Sequence, residues 1–270
     1  MRLSVTRIFL LVLLLGVSFS QTNAQSIFDN WPGFIKNYEF GYGYSHTWAK
    51  REQTIQAVRE DGKFYDTTFK RDVSSKIGIS ANAGTSINLK RLGEKSQLAL
   101  GISYVYNLYT WDYPTANGVS LTDTGVKLFF DQGLLFSGVT LNTGLALSAD
   151  FKFGAEAMLD KRYRWSWAGG AGVIPSVNLT ADFDDADLTF GVQPFVKTEV
   201  SVRGPISLKL RVMYAFLDLK YIDVKNGKGF FQFTNAANST LLTGKGNFTV
   251  SAIIMPFTWM YKKSEWYNTY

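Results

Sequence analysis

The chain contains no cysteine among its 270 residues. Disulfides and thiol chemistry are therefore excluded, and so is a lipid anchor on a cysteine behind a leader. It contains a single histidine, His46. One imidazole and no thiolate leave no transition-metal site of the usual kind, and no cofactor is expected. Past residue 24, no stretch approaches the roughly 18 continuous apolar residues that mark a membrane-spanning helix. Internal repeats and low-complexity linkers are absent. The formal net charge is +6, or +4 without Arg2 and Arg7, too mild an excess to point to nucleic acid.

What is present begins with an export signal. Arg2 and Arg7 precede an apolar run over residues 8–17, and Thr22-Asn23-Ala24 approximates a small-x-small cleavage site. Residues 1–24 are expected to be a signal peptide and residues 25–37 a periplasmic lead-in. The mean hydropathy of −0.03 conceals the pattern that follows.

That pattern has period two. Over residues 188–216, Leu188, Phe190, Val192, Val196, Val200 and Val202 alternate with Thr189, Gln193, Lys197, Glu199, Ser201 and Arg203. After Gly204-Pro205, Leu208, Leu210 and Val212 alternate with Ser207, Lys209 and Arg211. Two long alternating segments joined by a turn predict a β-hairpin. Each is long enough for a tilted strand to cross a bilayer, which takes about 9–11 residues. Along the chain the polar set is rich in Gly, Ala, Ser and Asn. Small residues suit a narrow barrel interior, and the large aliphatic and aromatic set suits lipid. The fold class expected is all-β: an antiparallel transmembrane β-barrel over residues 38–261, with a C-terminal aromatic tail at 262–270. A closed barrel is the only non-helical way to satisfy every backbone group in lipid.

Ten strands are expected, with eight or twelve as alternatives. The first starts at Tyr38, with Tyr42, Tyr44, His46 and Trp48 on one face. Others cover residues 77–89, 98–108, 122–130, 139–151, 188–202, 206–216 and 248–254. Gly169-Gly170-Ala171-Gly172 reads by preference as a tight turn between two short strands, the alternative being a bend within one strand of about twenty residues. Asp61-Gly62 and Asn226-Gly227 signal exposed hairpins, the first spanning residues 54–70. On this pattern, from Tyr38 to Tyr261 and with the terminal aromatic Tyr270, the chain resembles small bacterial outer-membrane β-barrel proteins as a superfamily. The resemblance implies an outer-membrane location and no particular activity.

Candidate sites follow from facing. Setting Arg203 opposite Ser207 places Ser201 against Lys209 and Glu199 against Arg211, on the inward face. Asp123, Lys127 and Asp150 are expected to face inward too. An ion-pair network of Asp123, Lys127, Asp150, Lys197, Glu199, Arg203, Lys209 and Arg211 should therefore close the lumen. The acidic run Asp182, Asp184, Asp185 and Asp187 offers hard oxygen ligands for a divalent cation, although a solvated turn is the plainer reading. Outer-membrane enzymes of similar size use a histidine with Ser or Asp. Here His46 shares its face with Tyr42, Tyr44 and Trp48, so it should meet lipid or the interface rather than a substrate.

The favoured function is a non-enzymatic barrel with a structural or interaction role. A narrow solute channel is the alternative, and a lipid-modifying enzyme a second one. Candidate partners are outer-membrane lipid, including lipopolysaccharide phosphates met by outer lysines and arginines, and other envelope proteins.

Overall fold

The computed structural model describes residues 35, 37–58, 64–112, 115–122, 125–131, 137–158, 164–182, 185–203, 206–216, 219–224, 231–232 and 239–258. The signal-peptide assignment, nearly all of the lead-in, both hairpin-tip dipeptides, the Gly204-Pro205 turn and the aromatic tail lie outside them.

The strands are β1 (Glu39–Val58), β2 (Phe64–Arg91), β3 (Ser96–Trp111), β4 (Thr115–Thr122), β5 (Gly125–Asp131), β6 (Gly138–Gly154), β7 (Trp165–Asp182), β8 (Asp185–Val202), β9 (Ser207–Phe216), β10 (Lys220–Val224), β11 (Phe231–Gln232) and β12 (Ser239–Met255). A one-turn helix, α1 (Ala155–Met158), follows β6.

Eight of these strands form a closed antiparallel ring in the order β1-β2-β3-β6-β7-β8-β9-β12, and β12 returns to pair with β1. That last ladder runs from Phe40↔Ile254 to Thr54↔Ser239. The short β10 and β11 attach at the upper rim and bring the sheet to ten strands. The count read from the sequence thus matches the sheet, while the ring itself takes the alternative of eight.

Two assignments account for the difference. Residue 122 and residues 125–130 do not join the wall, because among the described residues β4 and β5 pair only with each other, as a separate two-stranded sheet. The glycine run at 169–172 is not a turn. It lies in the middle of β7, which pairs continuously with β8 from Trp165↔Val202 to Ala181↔Ala186. The reason is close approach. A Cβ on Gly172 would sit 1.9 Å from the Leu147 carbonyl oxygen of β6, and one on Gly170 would sit 2.2 Å from Asp150 Oδ1. Glycine at these two inward positions lets the strands come together and leaves room for a buried carboxylate.

The alternation has the orientation expected in lipid. Outward Tyr42, Ile77, Ile79, Tyr104, Phe190, Val192 and Leu210 are exposed, while inward Ser45, Thr47, Asn107, Asn142, Asn178 and Thr249 are buried. A water-soluble barrel would show the reverse. From Glu39 to Trp48, β1 presents ten residues, enough for a tilted crossing of about 9–11. The lower rim has the turn at 92–95 and the connection at 203–206, whereas β1 and β2 continue upward, paired as far as Val58↔Phe64. Short connections belong to the periplasmic side.

If close approach explains the glycine run, its positions should differ in tolerance. Gly172→Ala meets backbone and should cost about 1–3 kcal/mol. Gly169→Ala meets only the movable Trp167 ring and should cost far less. Urea unfolding in detergent, followed by tryptophan fluorescence, measures both. Equal tolerance would restore the turn reading.

Candidate functional site: the lumen

The inward faces of the ring fill the lumen in layers. The lowest is ionic. On β8 and β9 the inward positions are odd, and the register is Glu199↔Arg211 and Ser201↔Lys209, as the sequence predicts. Arg211 Nε donates to Glu199 Oε1 at 2.7 Å, and Arg211 also bonds Glu39 at the start of β1. Lys209 Nζ lies 3.0 Å from Glu39 Oε2, 2.9 Å from Glu156 Oε2 and 3.6 Å from Glu199 Oε2. Lys197 Nζ reaches Asp150 Oδ2 at 2.9 Å and Glu199 Oε1 at 3.2 Å. Lys152 Nζ approaches Glu156 Oε2 at 3.7 Å and donates to Ser86 Oγ at 2.6 Å.

The cluster holds four carboxylates (Glu39, Asp150, Glu156, Glu199) and four cations (Lys152, Lys197, Lys209, Arg211). It is formally neutral. Its side chains are between 2% and 11% exposed. Ions this dry are tolerated only when paired and hydrogen-bonded, and here each meets at least one opposite charge.

Of the residues expected in this network, Asp150, Lys197, Glu199, Lys209 and Arg211 are brought together. Lys127 lies on β5, which pairs with β4 apart from the wall, and its side chain lies outside the described residues. Asp123 lies outside the described residues. Arg203 stands half-buried just past β8, its backbone N–H donating to the Arg164 carbonyl. Three members were missed. Glu39 and Lys152 were legible by parity, next but one to inward Gly41 and Asp150. Glu156 was not. It comes from α1, after Gly154 turns the chain at φ +88°, where strand alternation no longer applies.

Above the ions lies a gap of about 10 Å³ beside Ser80, Asn82, Phe195, Lys197, Arg211 and Met213. This is room for about one water molecule. Around it Val105, Ala146, Ile174, Phe195, Met213 and Ala215 pack together. An amide ladder crosses three strands, with Asn107 Nδ2 donating to Asn142 Oδ1 at 3.1 Å and Asn142 Nδ2 to Asn178 Oδ1 at 2.6 Å.

The upper layer is aromatic and aliphatic. Tyr109, Trp111, Leu219, Tyr221, Ile222 and Leu242 are fully or almost fully buried in one cluster. Their polar ends are satisfied: Trp111 Nε1 donates to Thr140 Oγ1 at 2.8 Å, and the Tyr221 hydroxyl meets Thr47 Oγ1 at 3.0 Å. Leu219 enters between β9 and β10. Gly191 makes room for it, since a Cβ there would stand 2.0 Å from Leu219 Cδ1.

The two described side chains of the acidic run, Asp182 and Asp187, turn to different partners. Asp182 Oδ2 pairs with Arg51 Nη2 at 3.1 Å. Asp187 accepts the backbone N–H groups of Leu188 and Asp223 at 2.9 and 2.8 Å. Asp184 and the Asp185 side chain lie outside the described residues. Among those described, no group of three acidic or histidine side chains could hold a metal ion.

His46 faces outward. Its Nδ1 stands 3.2 Å from the Tyr44 hydroxyl and 3.3 Å from Ser75 Oγ, and its ring packs edge-on against Trp48 with centroids 4.8 Å apart.

No family model and no curated relative matches the sequence. Among solved structures, the chain is similar to Neisserial surface protein A (11% identity, TM-score 0.34, covering 78% of this chain and 94% of that one). It is also similar to the outer membrane protease OmpT from Escherichia coli (8% identity, TM-score 0.38, 82% and 97%). Ail, the attachment invasion locus protein of Yersinia pestis, matches at 9% identity and TM-score 0.29, with 80% and 97% covered. Likeness this distant concerns no more than the fold.

The ionic layer makes a mutational prediction. Arg211→Ala leaves four carboxylates facing three cations and should destabilise the barrel by about 3–5 kcal/mol. Glu199→Ala combined with Arg211→Ala restores neutrality and should recover part of that loss. Urea unfolding in detergent measures both, and strict additivity would contradict the coupling. His46→Phe keeps the outward aromatic packing, so it should fold and show heat-shifted gel mobility like the parent protein.

Proposed function

We propose that the chain is a closed, non-conducting barrel of the bacterial outer membrane, with a structural or interaction role rather than an enzymatic one. The single observation that carries this is the neutral, ion-paired layer across the lumen. A pore needs mobile water and a clear path. Here eight buried charges hold one another, the space above them fits about one water, and aromatic side chains cap the top. Eight strands leave an interior just wide enough for its own side chains.

Location follows from the exposed apolar belt and from the export signal expected at the N-terminus. A non-enzymatic role is supported by the placement of His46. It faces the lipid boundary and is bonded to a tyrosine and a serine, and among the described residues no carboxylate bonds it as a general base requires. The long β1–β2 hairpin, rising past the end of β3, is the element available to partners outside the cell.

Planar-bilayer recording on the purified protein tests this reading. It should give no steady channel at low voltage, while the protein fractionates with the outer membrane and shifts on gels only after boiling. Large, steady conductance would overturn closure, and recovery in the soluble periplasmic fraction would overturn location.

A further inference from the structure

The β2–β3 ladder slips twice, once near each end of the apolar belt. Near the top, Ser75 pairs with Trp111 and Ile77 with Thr110, so Lys76 is an extra residue. On β12, Lys245 is extra in the same way, between Gly244 opposite Ala49 and Gly246 opposite Trp48. Near the bottom, Asn88 pairs with Ala99 and Lys90 with Leu98, so Leu89 is extra. A β-bulge bends its strand and re-aims the side chains beyond it.

The lower slip decides where Lys90 goes. Above it the outward residues of β2 are odd-numbered, among them exposed Ile77, Ile79 and Ile87, and Ile87 stands opposite Leu100. Unbroken pairing would set Leu89 against Leu98 and turn Lys90 into the lumen. With the slip, Lys90 itself stands opposite the outward Leu98, on the lipid side. The row continues across the wall, where Leu98 pairs with Phe151, and the Phe151 ring centroid lies 6.3 Å from that of Trp167. Exposed Trp165 and Trp167 mark this level as an interfacial aromatic girdle. Leu89 and Leu92, 54% and 50% exposed, flank Lys90 and Arg91 in the chain. A lysine lays its stem along such apolar surface and carries its ammonium to headgroup level.

The two boundaries differ in charge. At the top the outward lysines meet carboxylates. Lys245 Nζ sits 2.6 Å from Asp72 Oδ1 and Lys76 Nζ 3.0 Å from Asp112 Oδ2, while Lys50 and Lys70 share Glu52 at 3.1 and 3.4 Å. At the bottom, exposed Lys90 pairs with no carboxylate among the described residues. Residues 90–96 set Lys90, Arg91 and Lys95 against Glu94 alone. Arg91 donates from Nε and Nη2 to the carbonyls of Gly93 and Glu94 at 2.9 and 3.1 Å, which ties the turn together without neutralising it. An anion from outside the chain thus meets no competitor at Lys90. Because Lys90 stands beside Leu98 on the lipid side, that anion is a membrane phosphate. Lipopolysaccharide occupies the outer leaflet, so on the periplasmic side the phosphate belongs to a glycerophospholipid. Fixed cations at a membrane surface favour its anionic members.

We propose that Lys90, set outward by the lower slip, binds the phosphate of an anionic glycerophospholipid in the periplasmic leaflet. The proposal rests on the membrane reading above. The full chain, purified in detergent, would be titrated with phosphatidylglycerol and phosphatidylethanolamine of one acyl composition, and with lipid A, under native mass spectrometry. Phosphatidylglycerol should be retained over the other two, and inorganic phosphate should not displace it. Lys90→Gln should weaken its retention roughly fivefold, as loss of one cation near an anionic surface does. Lys90→Arg should keep it. Lys76→Gln removes the same charge at the opposite boundary and should leave it unchanged. Heat-shifted mobility of the three variants confirms that they fold. Equal retention of the lipids, preference for lipid A, displacement by inorganic phosphate, or equal effects of Lys90→Gln and Lys76→Gln would overturn the proposal while leaving the barrel in the membrane. A parent protein that stays monomeric and folded without detergent would overturn the membrane reading itself.

Discussion

Everything in this molecule depends on the pairing of its first and last wall strands. In hydrocarbon, an unpaired backbone N–H or C=O has no water to turn to, and each costs several kcal/mol. The β1–β12 ladder removes the two edges that an open sheet would present. With the ring closed, the backbone is satisfied without regard to side chains. These are then free to serve two opposite solvents, lipid outside and a tightly packed polar interior within.

Closure at eight strands also fixes the space available. The interior is narrow, so wherever strands and side chains crowd it, small residues recur: Gly170 and Gly172 on β7, Gly191 beneath Leu219, Ser80 and Ser251 around the central gap. The charges exist under the same restriction. Glu199 and Arg211 cannot reach water, so they must reach each other. The cluster grows by recruiting Glu39 from the first strand and Glu156 from a helical turn at the lower rim, until carboxylates and cations match. Sequence-distant segments are thereby tied together at the level where the chain enters and leaves the barrel.

The outer surface answers to a different requirement. Regular alternation suffices where the wall meets uniform hydrocarbon. At the boundary of that layer the ladders slip, and the slips project lysines beside Trp48 rather than another pair of aliphatic side chains. A further slip, between Asn88 and Lys90 in the β2–β3 ladder, lies by the lower rim.

The sequence by itself determined the class of fold, the facing of most strands, and the Glu199–Arg211 register. Period-two alternation is local, and parity across a short connection leaves few choices. It also determined that His46 points outward, since its neighbours at 44 and 48 do. Only the tertiary structure decided which strands belong to the wall. Residues 122–130 alternate as well as any, yet those described pair off as a hairpin. The glycine run at 169–172 has the composition of a turn and continues as strand, because what demands glycine there is the carbonyl of Leu147 and the carboxylate of Asp150 on the next strand. Glu156 entered the ion cluster, and Asp182 left the acidic run for Arg51, for the same reason. A buried charge finds its partner by distance through the lumen, and ring closure sets that distance between residues far apart in the chain.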